Sequence, residues 1–232
     1  MSLDLVRVGA DRLRVGPWRG DHRIAYIAPM ADGAPATAGA VRRCCELLHE
    51  RGYGEAITAA LGPAESSGFI DAGFEVRERL HLLAHDLGRL PAIPDCAIHR
   101  GKRTDRAAAL AVDARSFDRF WRLDESGFDE AIAATPSSRF RVAGDGSVVG
   151  YAVSGRAGTR GFLQRLAVDP QHQREGIGRA LALDGLRWMQ RRGVERAMVN
   201  TQEHNDGALA LYEHLGFRLQ PSGLAVLQIA LG

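Results

Sequence analysis

The sequence is short of the features that identify several classes of protein. It has three cysteines in 232 residues, and two of them, Cys44 and Cys45, are adjacent. That number and spacing suit neither a disulfide framework nor a metal site, so we expect reduced thiols and a cytoplasmic location. Eight histidines are scattered without ligand spacing, and we therefore predict no bound metal.

Basic charge and long apolar runs are also scarce. The formal net charge is +2, without the basic excess typical of proteins that depend on nucleic acid. The longest apolar run, AAALAV from Ala107, is too short to span a bilayer. The N-terminal stretch MSLDLVRVGADRLRV interrupts its apolar residues with charges, which argues against a secretory signal. We therefore expect neither a nucleic-acid partner nor a membrane partner.

What remains is an ordinary globular composition, arranged as two α/β segments. Hydrophobic residues make up 45 % of the chain and charged residues 25 %. In residues 1–90, strand-like runs surround a helical pattern from about Thr37 to Glu50. Pro91 and Pro94 favour a linker after this segment, because proline blocks both helix and sheet hydrogen bonding. We predict one domain at 1–90 and a second at 97–232.

The second segment begins with two predicted helices, one over 104–121 and one ended by Pro136. Asp145-Gly146 lies between two strand-like runs and predicts a β-hairpin. The strand FLQRLAV then leads to a long helix from about Gly176 to Arg191. A strand, ERAMVNT, precedes a last helix that ends at Gly216, because glycine readily takes the left-handed conformation after a helix.

The two segments show a weak internal repeat. Residues 51–60 (RGYGEAITAA) align with 192–201 (RGVERAMVNT), and 68–76 (GFIDAGFEV) align with 211–219 (LYEHLGFRL). Three strands and a helix precede each copy in the same order, which favours an internal duplication. The alternative is two unrelated α/β segments that share the chemistry of their helix ends.

The stretch QREGIG, residues 173–178, places two glycines at the start of the long helix. The first amides of a helix lack internal partners and attract anions such as a pyrophosphate. Gly176 and Gly178 would let phosphates approach the backbone, at a cost of about 1 kcal/mol each in helix propensity. The spacing fits neither the Walker loop nor the dinucleotide fingerprint. A glycine in a first turn can also simply admit a neighbouring strand.

With its flanking residues, this stretch resembles the cofactor-binding segment of the GNAT superfamily of acyl-CoA-dependent N-acetyltransferases. Residues 166–178 match the pattern L-x-V-x-P followed by Q/R-x-x-G-x-G/A. Residues 205–217 match a second pattern, an Asn followed by A-x-x-L-Y and L-G-F. The resemblance covers about residues 97–232 as one catalytic domain. The first segment looks like a degenerate, truncated copy, as in tandem GNAT proteins.

The resemblance implies an α/β fold of the GNAT type, in which helices flank a splayed mixed β-sheet and a truncated GNAT-like half precedes it. It implies acetyl-CoA as the co-substrate, with its pantetheine amides on the splayed strand and its pyrophosphate on the glycine turn. The implied cofactor-binding residues are Leu166, Ala167, Val168, Gln173, Arg174, Glu175, Gly176, Ile177, Gly178, Arg179, Ala180, Asn205 and Tyr212.

The expected reaction is direct attack of a primary amine on the thioester in a ternary complex. Tyr212 resembles the family's usual proton donor to the departing thiolate, and a packing role on its helix face is the alternative. Glu203 is the candidate base for the amine, and a solvated loop residue is the alternative. A non-catalytic acyl-CoA-binding or regulatory module is the second functional hypothesis.

The acceptor is expected to be an amine on a small molecule or a protein, and the chain a monomer or a homodimer. Trp121 and Asp124 lie where the first two helices of the family wall the acceptor site. Many family members carry an acidic residue shortly before the L-x-V pattern. Gln164 and Arg165 stand there instead, and Arg165 suggests an anionic group on the substrate. A packed stem with a solvated head is the alternative for this side chain.

Overall fold

The computed structural model describes residues 3–30 and 33–232, which form two compact units. Unit 1 consists of the described residues up to Leu82 together with Asn200–His204 and Gln220–Gly232. Unit 2 consists of Leu83–Val199 and Asn205–Leu219. The chain therefore passes between the units more than once.

Twelve strands and six α-helices are present in the described residues. The strands are β1 (Asp4–Val8), β2 (Asp11–Trp18), β3 (Asp21–Pro29), β4 (Glu55–Thr58), β5 (Glu75–His85), β6 (Ile98–Arg100), β7 (Ser137–Ala143), β8 (Gly150–Ala157), β9 (Arg160–Val168), β10 (Arg196–Gln202), β11 (Arg218–Leu219) and β12 (Leu224–Ala230). The helices are α1 (Ala38–Glu50), α2 (Pro63–Ile70), α3 (Arg106–Ser116), α4 (Glu125–Ala133), α5 (Ile177–Gln190) and α6 (Asp206–His214).

Unit 1 contains the strand order β1-β2-β3-β4-β12-β5. The first three strands are antiparallel, β3 and β4 are parallel, and β12 runs antiparallel to both β4 and β5. Its core includes Leu13, Val41, Phe69 and Leu227, each fully buried. The C-terminal segment, which the sequence pattern assigns to the second domain without a strand, forms β12. The backbone hydrogen bonds of β12 to β4 and β5 lie within unit 1.

Unit 2 contains the strand order β10-β9-β8-β7-β6, with β9 and β10 parallel and the other neighbours antiparallel. Helices cover both faces. Tyr151 and Val153 of β8 pack in the cluster of α3 and α4, and Ala152 between them packs with Leu181 of α5. This is the mixed α/β architecture that the sequence predicts, including the hairpin between β7 and β8.

Helix α3 is shorter than predicted. The sequence pattern suggested a helix over 104–121, but α3 ends at Ser116 and Phe117 is extended. The carboxylate of Asp118 then accepts hydrogen bonds from the amides of Phe120 and Trp121 and fixes a turn. An aspartate that bonds its own backbone competes with the helix, so a loop connects α3 to α4.

Helices α2 and α6 end in the same way in their separate units. Gly73 and Gly216 have φ of 103° and 94°, as predicted for glycines after a helix. The next residue, Phe74 or Phe217, returns its amide to the helix and packs edge-on against Phe69 or Tyr212. The order of elements before each helix is also the same, with three antiparallel strands, a helix and a parallel strand.

The N-terminus of α1 is capped and covered by residues of unit 1. Thr37 caps the helix by accepting a hydrogen bond from the Ala40 amide at 3.3 Å, and its hydroxyl donates to Asp11 at 2.7 Å. Gly68 of α2 lies so close to the carbonyl oxygen of Ala36 that a Cβ atom there would collide with it. In the part of the chain that the structure describes, a Cβ at Gly39, the second residue of α1, would have no atom within 4 Å.

We expect Gly68→Ala to lower the free energy of unfolding by about 1–3 kcal/mol, because the added methyl group must displace backbone. Gly39→Ala, the matched helical control, is expected to leave stability unchanged or raise it by up to about 1 kcal/mol through helix propensity. Urea unfolding of both variants measures the difference. Equal effects would contradict the close approach of α2 to Ala36.

The end of α6 is held by a buried histidine of unit 2. The Leu87 amide donates to Nδ1 of His85 at 2.7 Å, so Nε2 carries the hydrogen and bonds the Leu215 carbonyl at 3.1 Å. Burial is the main cause that lowers the pKa of His85 below its ordinary 6.5. A second proton on the ring would also face the Leu87 amide.

Because the folded pKa lies below the unfolded one, the unfolded chain binds the proton first as the pH falls. The contribution of His85 to stability is therefore complete above about pH 6.5 and declines as the pH drops below it. We expect the free energy of unfolding, measured with urea, to fall less between pH 7.5 and pH 5.5 for His85→Gln than for the natural chain. An equal loss would rule His85 out as a source of the pH dependence.

Candidate active site

The strands β9 and β10 of unit 2 part soon after they pair. In the described residues, they pair in parallel only where Arg160–Phe162 of β9 lies opposite Arg196–Met198 of β10. From there to Val168, β9 keeps its ladder with β8. The Asp169 amide donates to Val149 at the end of that ladder, at 2.8 Å. Since antiparallel pairs alternate, the main-chain groups of Leu166 and Val168 face away from β8.

The three predicted residues of this strand differ in exposure. Ala167 is buried in the cluster of α3 and α4, whereas Leu166 and Val168 are half-buried. The Val168 carbonyl accepts from the Ser116 hydroxyl at 2.9 Å and from Nε2 of Gln173 at 3.3 Å. The predicted residues of β9 and Gln173 therefore lie together.

Residues between β9 and α5 turn the chain through left-handed conformations. Arg174 has φ of 69° and Gly176 has φ of 83°, and Gly176 is the N-cap of α5. No side chain caps this helix among the described residues, and its first turn has no acidic residue. The first internal bond joins the Ala180 amide to the Gly176 carbonyl. The earlier amides of the helix, up to Arg179, therefore have no partner one turn back.

Crowding by the described residues explains neither glycine of the turn. Gly176 is required by its positive φ, and no atom among these residues lies within 4 Å of the position that a Cβ would take. At Gly178, a Cβ would lie 3.5 Å from Leu211 and 3.6 Å from Val168, which is ordinary van der Waals contact. The fold therefore has room for a side chain at Gly178, even though the sequence places glycine there.

The remaining side chains of the turn fall into three kinds. Ile177 and Ala180 are buried and anchor the helix in the core. Glu175 and Arg174 are exposed, and Glu175 lies 3.3 Å from His172. The Nε atom of Arg179 is buried without a hydrogen-bond partner in the described residues.

Tyr212 lies on α6 with its side chain 5 % exposed. Its ring packs against Phe217 with 5.6 Å between centroids, in the cluster that includes Leu163 and Val199. Burial raises the pKa of Tyr212 to about 12, and the charge of Arg165 opposes that shift. The hydroxyl is therefore protonated at neutral pH. The packing proposed as the alternative for Tyr212 is present, and it is compatible with a role for the hydroxyl.

Two other predicted residues have backbone roles near α6. Asn205 caps the helix, because its side-chain oxygen accepts from the Ala208 amide at 3.1 Å. Glu203 is exposed and belongs to unit 1, where its amide donates to the Arg79 carbonyl at 3.1 Å. Its role as a base stays a prediction.

Arg165 has an internal partner that the sequence analysis missed. Its guanidinium donates to both carboxylate oxygens of Asp113, at 2.7 and 2.8 Å, and Asp113 is fully buried. The positive charge of Arg165, which was predicted to pair with an anionic group of the substrate, is therefore already balanced by the Asp113 carboxylate. The alternative of a solvated head also fails, since the side chain is 11 % exposed. Asp113 within the apolar run AAALAVDARS was the available signal.

The predicted acceptor residues lie in and after the loop between α3 and α4. Trp121 is half-buried, packs edge-on against Phe120, and accepts through its carbonyl from Arg165 at 2.7 Å. Asp124 is exposed and caps α4 by accepting from the Gly127 amide at 2.7 Å. That cap occupies one of the carboxylate oxygens predicted to hold an amine.

Residues 3–30 and 33–232 contain neither a candidate metal site nor a candidate membrane span. No group of three or more His, Cys, Asp or Glu side chains is arranged to hold a metal ion there. No helix in the same residues is long and apolar enough to cross a membrane.

Comparison with known proteins shows that the chain is similar to acetyltransferases. The family model described as "Acetyltransferase (GNAT) family" matches residues 108–217. The chain is 37 % identical over 131 residues to a mycothiol acetyltransferase of Saccharomonospora viridis, a match covering 49 % of the chain and 42 % of that enzyme. The chain spans about half the length of the mycothiol acetyltransferases that it matches.

A shorter relative is covered more fully. The [ribosomal protein bS18]-alanine N-acetyltransferase of Escherichia coli is 30 % identical over 117 residues, which is 49 % of this chain and 75 % of that enzyme. Among solved structures, a tandem GNAT protein from the clavulanic acid biosynthesis pathway superposes with a TM-score of 0.71 at 14 % identity. That superposition covers 98 % of this chain and 82 % of the other, and it shows the fold. Sequence and fold together establish that the chain belongs to the GNAT family of acetyltransferases.

Proposed function

We propose that the protein transfers an acetyl group from acetyl-CoA to a primary amine by direct attack in a ternary complex. The observation that supports this most is the open helix start at Gly176–Arg179 beside the outward-facing edge of β9. The uncapped amides of α5 suit a diphosphate. The main-chain groups of Leu166 and the amide of Val168 face away from β8, and they suit the amides of a pantetheine arm.

Electrostatics at the turn also favour an anionic ligand. The positive end of the α5 dipole is not offset by an acidic residue in its first turn. The buried Nε of Arg179 lacks a partner among the described residues, which costs free energy unless something supplies one. A bound diphosphate would supply acceptors for both.

Unit 1 is proposed to be a degenerate copy that does not bind the coenzyme. Its element order and the ending of α2 repeat those of unit 2. The start of α1, however, is capped by Thr37 and closed by the contact between Gly68 and Ala36. We therefore expect one coenzyme per chain. The tandem GNAT protein with a similar fold supports this arrangement.

The chemistry requires two kinds of stabilisation. Main-chain amides at the parted edge of β9 could stabilise the tetrahedral oxyanion, for which a single donor contributes about 3 kcal/mol in other acyl transfers. The departing thiolate then needs a proton or a hydrogen bond. With its pKa at about 12, Tyr212 stays protonated and serves best as a donor to the developing charge. The base for the amine is left to Glu203 as a prediction.

The relatives suggest the class of acceptor. One is named for acetylation of an alanine in a ribosomal protein and another for mycothiol. A protein or small-molecule amine is therefore proposed. The second candidate function, a non-catalytic acyl-CoA-binding module, is disfavoured by the retained Tyr212. Amine-dependent release of CoA, followed with a thiol reagent over peptides with N-terminal alanine and small amines, tests the proposal. Tight binding without turnover would favour the module.

We expect Gly178→Ala to weaken acetyl-CoA binding about 10- to 100-fold, since a methyl group between diphosphate and backbone costs roughly 1–3 kcal/mol. The fold has room for that methyl, so thermal stability without coenzyme is expected to be kept. Gly39→Ala adds the same group at the second position of α1 and is the matched control. Unchanged affinity in Gly178→Ala, measured by calorimetry, would remove the turn from the binding site.

We expect Tyr212→Phe to lower kcat about 10- to 1000-fold, the range for a lost general acid. The ring remains to pack against Phe217, so the melting temperature and the affinity for acetyl-CoA should change little. Steady-state kinetics with the best amine of the panel measures the effect. A variant with the natural kcat would leave Tyr212 with a packing role alone.

A further inference from the structure

The loop between α3 and α4, residues 117–124, is tied to β9 through one buried ion pair. Arg165 of β9 donates to Asp113 of α3 through Nε and one terminal nitrogen. The same terminal nitrogen donates to the carbonyl of Trp121 in the loop, at 2.7 Å. We call Arg165 and Asp113 the loop latch.

The carboxylate side of the latch also reaches the loop. Oδ1 of Asp113 accepts from the Leu123 amide at 2.8 Å, and Oδ2 accepts from the Tyr151 hydroxyl. The guanidinium of Arg165 lies over the Phe117 ring, 3.5 Å from its centroid. The loop is therefore held at its beginning and near its end by the same two charged groups.

Burial makes these contacts depend on each other. A fully buried carboxylate needs both an opposite charge and hydrogen-bond donors, and Arg165 together with the Leu123 amide and Tyr151 supplies them. Loss of either latch residue leaves an uncompensated charge beside the loop. When both charged groups are replaced by apolar side chains, no ion remains buried. The Leu123 amide and the Trp121 carbonyl then lose their hydrogen bonds to these two residues.

The latch adjoins the proposed thioester site. Arg165 directly precedes Leu166, whose main chain faces the side where β10 has parted from β9. The Trp121 main chain is thereby fixed beside the strand that would carry the pantetheine arm. The family resemblance assigns the wall of the acceptor site to Trp121 and Asp124, which lie in this loop.

We propose that Arg165 and Asp113 are positioning residues, which hold loop 117–124 as a wall of the acceptor pocket and so set acceptor affinity. The acceptor part rests on the proposed function, while the hold on the loop does not. The latch acts on the loop through hydrogen bonds and requires no contact with the coenzyme.

The test uses the double variant Asp113→Leu with Arg165→Met, which replaces both buried charged groups by apolar side chains of similar bulk and leaves the Leu123 amide without its acceptor. The single variant Arg165→Met is compared where it folds. Arg139→Met is the control for loss of a half-buried arginine. Arg139 makes two contacts to Asp184 of α5, whose carboxylate also accepts from Arg141, and these contacts do not involve the loop. All variants are made in the full chain.

Three readouts are taken from each variant: hydrogen exchange of residues 117–124, the Kd for acetyl-CoA, and kcat and KM for a peptide with N-terminal alanine or another amine that the natural chain acetylates. The double variant is expected to exchange the Leu123 amide faster. Its acceptor KM should rise about 10-fold or more, as for misplaced substrate-positioning groups. The Kd for acetyl-CoA should stay within about twofold. The control should keep both the exchange and the KM.

Unchanged exchange in the loop would overturn the latch, whatever the kinetics. Faster exchange with an unchanged acceptor KM would overturn its role in the acceptor pocket and leave a structural ion pair. An equal rise of KM in Arg139→Met would assign the effect to lost stability instead. If the natural chain acetylates no amine, the proposed function and the acceptor role both fail, while the exchange data still decide whether the latch holds the loop.

Discussion

The candidate site depends on the point at which β9 and β10 stop pairing. A parallel pair normally continues to the ends of its strands, but here the described register stops after Phe162 and Met198. Beyond that point one edge of β9 has main-chain groups directed away from β8. The next helix begins there with a left-handed glycine and no capping side chain. The Leu166 main chain and the first amides of α5, which have no strand or helix partner in the described residues, therefore lie at the same end of β9. Leaving such groups unpaired costs free energy unless a ligand uses them.

A comparison of unit 1 with unit 2 supports this interpretation of the site. Units 1 and 2 use the same succession of three strands, a helix, a strand and a helix, and the same glycine and phenylalanine after the last helix. They differ at the helix start, where Thr37 and the approach of Gly68 close α1 and nothing comparable among the described residues closes α5. Packing chemistry is common to both units, whereas the open helix start is found in unit 2. That difference is what a functional copy and a degenerate copy would show.

Much of the fold and the location of the site followed from local sequence signals. Apolar periodicity, the two glycine stops and QREGIG identified most helices and the family, because each signal is contained within one short segment. The C-terminal strand β12 was missed, since its partners β4 and β5 are distant in sequence. The internal partner of Arg165 was missed for the same reason, because Asp113 lies 52 residues away and a single aspartate does not alter the apolar pattern of its helix. The predicted helix extended past the end of α3, because the Asp118 carboxylate bonds nearby backbone amides and ends the helix. Apolar periodicity does not detect such side-chain bonds.

A crystal structure of the full chain with acetyl-CoA would show whether the parted edge of β9 and the start of α5 bind the coenzyme. We expect one coenzyme per chain, with its diphosphate on the amides of Ile177–Arg179 and its pantetheine arm along Leu166–Val168. A coenzyme bound at α1, or at any surface away from the parted edge of β9, would contradict this expectation.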